Sequence, residues 1–151
     1  MLGRLAASLL ITISLVGCST HSKKIDIVQD CLEQTAKIPH DHRADNYFQT
    51  PKQTAKLRKG NCSDKAAYLQ YLLKQKGIPS KIDVGILSLS SFNGTYHMWV
   101  DCEGEVLDPS KPPKGFRMKM SKATEFFYMS MMNKTYQQQI EELHQRIENG
   151  E

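Results

Sequence analysis

The residues of this sequence that can perform chemistry together are a thiol, an imidazole and a carboxylate: Cys62, His97 and Asp108. Cys62 lies at the first turn of a predicted helix. Asn61 caps the start of this helix, and Gly77 ends it by taking a left-handed conformation. The unpaired N–H groups and the positive dipole end of a helix start favour thiolate, the form that attacks carbonyl carbon. The position therefore suits a nucleophile, although an isolated cysteine at such a place is more often a half-buried structural residue.

His97 and Asp108 fall on two strands that the sequence joins by a tight turn. Alternation predicts strands over residues 96–102 and 105–108, connected by a two-residue Glu-Gly turn. That turn places Trp99 opposite Asp108 and makes His97 a diagonal neighbour of the carboxylate, roughly 7–8 Å away at the backbone. We therefore expect a hydrogen bond between carboxylate and imidazole, the arrangement that fixes the tautomer of a general base.

The other elements must position these strands and the nucleophile helix. Periodicity predicts an α+β fold in which the nucleophile helix packs on a small antiparallel sheet through one apolar stripe of Ala66, Leu69 and Leu73. Residues 116–132 are rich in Met and aromatic residues and are expected to pack on the core. The sequence predicts helices over residues 24–37, 50–59 and 60–79, and an amphipathic C-terminal helix over residues 133–151. A further strand is predicted over residues 82–86, before the strands at 96–102 and 105–108, and Asn93-Gly94 predicts a turn.

The N-terminus has the layout of a secretory signal. One charge precedes an apolar run that is too short to span a bilayer as a stable anchor. Residues 15–19 resemble a bacterial lipobox, which predicts a signal peptide over residues 1–17, lipid on Cys18 and a tether over residues 18–23. Ser19 resembles the residue found in lipoproteins sent to an outer membrane. We expect a membrane-anchored, extracytoplasmic protein, on the periplasmic face of the outer membrane if the cell is Gram-negative.

Composition excludes some partners. The 151 residues allow one domain with its own core, and the formal net charge of +4 is spread along the chain without a block of like charges. We therefore expect a solvated surface and no nucleic-acid partner. The segment His40-Asp41-His42 offers possible metal ligands, but so polar a loop is usually just exposed, and we predict no metal site.

The cysteine count is informative in an oxidising compartment. If Cys18 carries lipid, Cys31, Cys62 and Cys102 remain, and an odd number suggests that one thiol is kept free. Strand alternation places Cys102 on the face opposite His97, so it is available to Cys31. Two alternatives stay open: a Cys31–Cys102 disulfide with Cys62 free, or three reduced thiols.

Five motifs give the chain a family resemblance. They resemble the bacterial transglutaminase-like cysteine proteinases and the wider transglutaminase-like superfamily, which has a papain-like core. The resemblance implies catalytic roles for Cys62, His97 and Asp108, a domain over residues 24–132, and a protein or peptide substrate. The motifs are Tyr47-Phe48-x-Thr50-Pro51, Gly60-x-Cys62-x-Asp64, Leu72-Leu73-x-x-x-Gly77-Ile78-Pro79, His97-Met98-Trp99-Val100 and Leu107-Asp108-Pro109.

Two features leave the function open. The proteinase branch usually carries acids beside the cysteine, some of which bind calcium, whereas Asn61 and Ser63 flank Cys62 here. We therefore expect no calcium and no cofactor.

Candidate oxyanion donors are the backbone N–H of Cys62 and, more weakly, Gln49 or Gln53. An acyl-enzyme could pass to water, as in a peptidase or amidase, or to an amine, as in a transglutaminase; the alternative is a binding module that holds peptides in the same groove.

Overall fold

Three helices precede five strands in the described part of the chain. The structure is a computed structural model that describes residues 16–42, 48–87, 95–111, 113–119 and 128–130, and residues 138, 142, 145–147, 149 and 150. The helices are α1, Val16–Ala36; α2, Pro51–Leu57; and α3, Cys62–Gln75. The strands are β1, Lys81–Leu87; β2, Thr95–Cys102; β3, Glu105–Asp108; β4, Phe116–Lys119; and β5, Tyr128–Ser130.

The strands form one antiparallel sheet in the order β4-β3-β2-β1-β5. Helix α3 packs on this sheet, with α1 and α2 against its other sides. The main core lies between α3 and the sheet and contains Ala66, Leu69, Leu73, Val84, Met98 and Val100 among its members. The predicted α+β fold, with the nucleophile helix on a small antiparallel sheet, is confirmed.

The turn between β2 and β3 sets the register that the sequence predicts. Glu103 and Gly104 both have positive φ, 53° and 81°, as a two-residue turn matched to the twist of a hairpin requires. Val100 lies opposite Leu107, and this register extends to place Trp99 opposite Asp108. The predicted pairing of the two strands is therefore confirmed.

Several segments differ from the sequence-based expectations. Helix α1 begins at Val16, so the predicted tether over residues 18–23 is helical. Two strands, β4 and β5, lie within residues 116–132, where no strand was predicted. Ile147, on the predicted C-terminal helix, is buried in the main core. The predicted signal peptide and the Asn93-Gly94 turn lie mostly or wholly outside the described residues. Among those described, no helix is long and apolar enough to cross a membrane.

Helix α3 is more enclosed than its apolar stripe predicts. Every residue from Ser63 to Gln70 is buried, including the polar ones. The helix is enclosed because α1, α2 and the sheet all contact it. The amphipathic prediction was therefore incomplete: polar side chains in the first two turns of α3 are held in the interior and need partners there.

Cys31, Cys62 and Cys102 are free thiols. Cys31 and Cys102 are buried in the main core, and the Cys102 thiol donates to the carbonyl of Pro79 at 3.7 Å. Burial raises the pKa of both thiols, which keeps them protonated. Both thiols are thus reduced in this structure, and a Cys31–Cys102 disulfide in an oxidising compartment stays a prediction.

Candidate active site

The start of α3 is fixed by reciprocal hydrogen bonds. The side chain of Asn61 accepts from the Asp64 backbone N–H at 3.1 Å, and the Asp64 carboxylate accepts from the Asn61 N–H at 3.0 Å. This capping box holds Cys62 in the first turn. Gly60 must be glycine, since an added Cβ would lie 2.8 Å from the Cβ of Asp64.

Asp64 also joins two segments of the chain. Its second carboxylate oxygen accepts from the backbone N–H of Gln49 at 2.7 Å, and its side chain is fully buried. Asp64 therefore ties the segment before α2 to the N-terminus of α3, and its carboxylate serves backbone donors. No cluster of three or more potential metal-ligating side chains occurs among the residues that the structure describes.

Replacing Asp64 with alanine is expected to lower the free energy of unfolding by about 2–4 kcal/mol, because two backbone N–H groups lose a charged acceptor. Chemical denaturation monitored by circular dichroism measures this loss. Asp26→Ala, which removes an exposed carboxylate from α1, is the control and should cost less than about 0.5 kcal/mol. Equal losses in the two variants would show that Asp64 does not hold the start of α3.

His97 and Asp108 are in contact as the hairpin geometry predicts. Nε2 of His97 lies 2.8 Å from Oδ2 of Asp108, and the other carboxylate oxygen accepts from the backbone N–H of Ser110 at 2.8 Å. The Asp108 side chain is fully buried and that of His97 is 11% exposed. Because Nε2 faces the carboxylate, Nδ1 is the ring nitrogen left to exchange a proton with another group.

That other group is the thiol of Cys62, which hydrogen-bonds His97. Burial alone raises the pKa of Cys62, but the hydrogen bond and positive charge of His97 outweigh it and lower the pKa overall. The backbone N–H groups of Met98 and Ser63 lower it further. Burial alone lowers the pKa of His97, whereas its hydrogen bonds and the charges of Asp108 and Cys62 raise it to about 9. These shifts favour a thiolate–imidazolium pair.

The raised pKa of His97 predicts a pH-dependent contribution to stability. A folded-state pKa of about 9 against 6.5 for an ordinary imidazole means that the contribution is fully present below pH 6.5. It is lost as pH rises through about 9. The melting temperatures of wild type and His97→Gln should therefore differ most below pH 6.5 and converge toward pH 9 and above. His42→Gln, which removes an exposed imidazole, is the control; a wild-type–His97→Gln difference that stays constant with pH would contradict the shifted pKa.

The structure separates the two glutamines considered as oxyanion donors. Gln53 completes the capping box of α2, where its side-chain oxygen accepts from the Thr50 N–H at 2.8 Å. That role fixes the Gln53 side chain at the start of α2, and oxyanion donation by Gln53 stays a prediction. Gln49 is buried beside the start of α3, and its side-chain oxygen accepts from the Thr54 hydroxyl at 3.2 Å. Its amide nitrogen is thus turned away from Thr54, and Gln49 stays a candidate.

The loop that carries the two histidines lies next to the nucleophile. His40 forms an isolated parallel bridge with Gly60, and its ring lies 4.5 Å from that of His42 in an edge-on arrangement. Burial, followed by the positive charges of His42 and Lys65, lowers the pKa of His40. The loop therefore borders the start of α3, where Cys62 lies.

Sequence reasoning missed one residue of the site. Lys65 lies one turn after Cys62 and is only 1% exposed, with Asp108 and Cys62 as its interacting charges. A lysine beside a buried apolar stripe normally reaches solvent. The residue type therefore gave no indication that Lys65 is buried. The available signal was its spacing of three residues from the nucleophile, which places both on neighbouring parts of one helix face.

Comparison with known proteins identifies the family. The transglutaminase-like superfamily matches residues 12–109, more than half of the chain, and the chain belongs to that superfamily. The fold is similar to that of LapG from Legionella pneumophila in its EGTA-treated form, with a TM-score of 0.59 and 16% identity over 82% of this chain and 78% of that one. Calcium-bound LapG gives a TM-score of 0.44 and 17% identity over 66% and 70% of the two chains. A search of curated proteins found no significant match.

Proposed function

We propose that this protein is a cysteine acyltransferase of the peptidase or amidase type, which cleaves peptide or side-chain amide bonds through an acyl-enzyme on Cys62. The observation that carries the proposal is the continuous contact from Cys62 to His97 to Asp108. Membership of the transglutaminase-like superfamily supports it. A groove used only for binding has no need of a thiol whose pKa is lowered by an imidazole.

The proposed reaction begins with the Cys62 thiolate. It attacks the amide carbonyl carbon, and an S–C bond forms as the carbonyl oxygen takes the negative charge. The C–N bond then breaks, and the proton on Nδ1 of His97 goes to the departing amine. In the second half, neutral His97 takes a proton from water or from an acceptor amine, which attacks the thioester and releases Cys62. Asp108 holds the imidazole in place throughout.

The oxyanion of the intermediate requires hydrogen-bond donors close to Cys62. We propose the backbone N–H of Cys62, at the start of α3, as the first donor. The side-chain amide of Gln49 is the second, because Asp64 fixes the Gln49 backbone beside that helix start and Thr54 orients its amide.

Treatment of a bacterial cell-envelope extract with wild-type protein and with Cys62→Ala tests the function. A biotinylated primary amine is added to both samples as a possible acyl acceptor. Mass spectrometry of protein N-termini and of internal peptides then detects hydrolysis of backbone and side-chain amides, and streptavidin capture detects transamidation.

Each outcome has a defined meaning. New N-termini or deamidated side chains that depend on Cys62 indicate hydrolysis, and biotinylated proteins that depend on Cys62 indicate transamidation. Identical products from wild type and Cys62→Ala, with neither hydrolysis nor labelling above background, would reject acyl transfer in favour of the binding module.

We also propose that lipid on Cys18 anchors the protein to a membrane on its extracytoplasmic side, since residues 15–19 match the lipobox pattern. Cys18→Ala is expected to move the protein from the membrane fraction to the soluble fraction. Fractionation and immunoblotting of cells that express each form measure the distribution. Retention of Cys18→Ala in the membrane at the wild-type level would contradict lipid anchoring.

A further inference from the structure

The net positive charge of the chain is concentrated in residues 37–62, the segment that leads to the nucleophile. Lysine and arginine occur along the whole chain, but this segment contains six of them against two acids, whereas the remaining residues contain fourteen of each. The formal net charge of +4 therefore belongs to the residues that end at Cys62. The expectation of a charge spread along the chain was incomplete, because it considered runs of like charge and not the local balance with acids.

Helix α2, in the middle of this segment, is tied at both ends to the start of α3. Before α2, the backbone N–H of Gln49 donates to Asp64 at 2.7 Å. After α2, the backbone N–H of Gly60 donates to the carbonyl of Pro39 at 3.1 Å, within the bridge that joins the end of α1 to the residues before α3. The seven residues of α2 span about 10 Å. Cations on α2 therefore stay close to the first turn of α3, where Cys62 lies.

The cations of this segment differ in their pairing from those elsewhere. Four of them have exposed side chains: Lys37, Lys52, Lys56 and Arg58. None of the four forms an ion pair with another residue that the structure describes, whereas Lys24, Lys81 and Arg117 each pair with a carboxylate. Their positive charge is therefore not balanced by neighbouring acids in the described part of the fold, and it can attract an anionic partner.

Two of these cations line a groove of about 340 Å³ between the end of α1 and the end of α2. Lys37 and Arg58 are its charged residues, and the other described residues that line it are Gln34, Ile38 and Pro39. We call it the basic groove. Because both charges are positive and the remaining lining is neutral, the basic groove suits a carboxylate on a short aliphatic stem.

The backbone of Arg58 has a conformation that favours glycine. Its φ and ψ are 52° and 36°, and its N–H donates to the carbonyl of Thr54 at 2.9 Å, which ends α2. Glycine or asparagine usually occupies a left-handed position at the end of a helix, with less strain. Residues other than glycine that are held in this way concentrate at active sites and ligand clamps. An arginine at this position is therefore explained by its side chain in the basic groove and not by its backbone.

The distance to Cys62 relates the basic groove to the substrate. Arg58 precedes Cys62 by four residues, so their Cα atoms are at most about 14 Å apart. An extended peptide covers about 3.3 Å per residue, so an acidic residue in the groove is about four residues from the amide at Cys62. None of the described residues that line the groove is aromatic, so they offer no ring on which a nucleic-acid base could stack.

We propose that the basic groove binds carboxylates of an acidic segment of the protein substrate, within about four residues of the amide that Cys62 attacks. Lys52 and Lys56, four residues apart on α2 and therefore on one face, extend this contact. The inference rests on the proposed function, because it names the class of substrate for the same site. It predicts that the protein acts beside segments rich in Asp and Glu.

Binding of peptides to the inactive Cys62→Ala protein tests the groove without the chemistry. The probes are fluorescein-labelled decaglutamate, decaglutamine and a single-stranded DNA of the same charge as decaglutamate. Fluorescence anisotropy is measured at about 50 mM salt, where screening is weak. Decaglutamate should bind and decaglutamine should not. Adding Lys37→Gln and Arg58→Gln should weaken decaglutamate binding about fivefold, as expected for the loss of two exposed charge pairs. Lys37→Arg with Arg58→Lys keeps the charge and should retain binding.

The sequences around the amides that the active protein attacks test the same preference. In the cell-envelope experiment, these amides should have Asp or Glu within about four residues more often than the extract as a whole does. Lys37→Gln with Arg58→Gln should lose this enrichment. The control, Lys74→Gln with Lys76→Gln, makes the same change of charge at exposed positions at the far end of α3, about 18 Å or more from Cys62. It should keep both the enrichment and the binding of decaglutamate.

The outcomes distinguish the inference from the function on which it rests. Equal binding of decaglutamate and decaglutamine overturns the inference, and so does decaglutamate binding that Lys37→Gln with Arg58→Gln leaves unchanged. DNA bound more tightly than decaglutamate would overturn it in favour of a nucleic-acid site. Products that depend on Cys62 but show no acidic enrichment overturn the inference and leave the proposed function standing. Decaglutamate binding that is lost in the double variant, without any product that depends on Cys62, supports the groove and rejects the proposed function.

Discussion

Replacing Cys62 with alanine is expected to abolish acyl transfer and to leave the protein folded. Removal of the nucleophile from such a unit typically costs at least about 10⁴-fold in turnover. Cys62 is half-buried, at a helix start held by Asn61 and Asp64, so the fold does not depend on its sulfur. Product formation from a substrate found in the cell-envelope experiment measures the loss.

A thiol outside the site provides the control for this substitution. Cys102→Ala removes a sulfur from the main core, and we expect it to lower the melting temperature while the folded protein keeps its turnover. Turnover by Cys62→Ala within tenfold of wild type would show that the thiol is not the nucleophile.

Replacing Asp108 with asparagine is expected to lower turnover by about 10³–10⁴-fold. Asparagine has nearly the shape of aspartate, and its oxygen can still accept from the Ser110 N–H. Its NH₂ group would then face Nε2 of His97, which must become an acceptor and leave the proton on Nδ1. Nδ1 could no longer take a proton from Cys62 or from water, so the loss should appear in kcat of protein that circular dichroism shows to be folded.

Asp101→Asn is the matched control, because it removes a carboxylate from β2 that pairs with Lys81 at 3.3 Å, away from the site. We expect it to keep wild-type turnover. A loss for Asp108→Asn no greater than that for Asp101→Asn would mean that the carboxylate does not orient the imidazole.

The arrangement of the site followed from short-range rules. A two-residue turn fixes the pairing of β2 and β3, so the contact between His97 and Asp108 could be predicted from the positions of Glu103 and Gly104 alone. A capping residue before Cys62 likewise fixed the start of α3. Both results depend on backbone hydrogen bonds between residues that are close in the chain.

What the sequence did not predict depends on contacts between distant segments. The burial of Lys65 requires α1, α2 and the sheet to surround α3 together, and the helical period of α3 reports only one of these faces. Gln53 was ambiguous because the same amide can complete a helix cap or donate to an oxyanion. Alternation likewise gives the face on which Cys102 lies but not the direction of its sulfur, which points at the carbonyl of Pro79.

The proposed mechanism depends above all on an ion pair between Cys62 and His97, and the ultraviolet absorbance of the thiolate measures this pair most directly. The difference between wild type and Cys62→Ala should show thiolate appearing well below the roughly 8.5 of a free thiol. In His97→Ala the same step should move up, toward or above that value, because the imidazolium that lowers the pKa of Cys62 is gone. A step near 8.5 in wild type that does not move in His97→Ala would contradict the account.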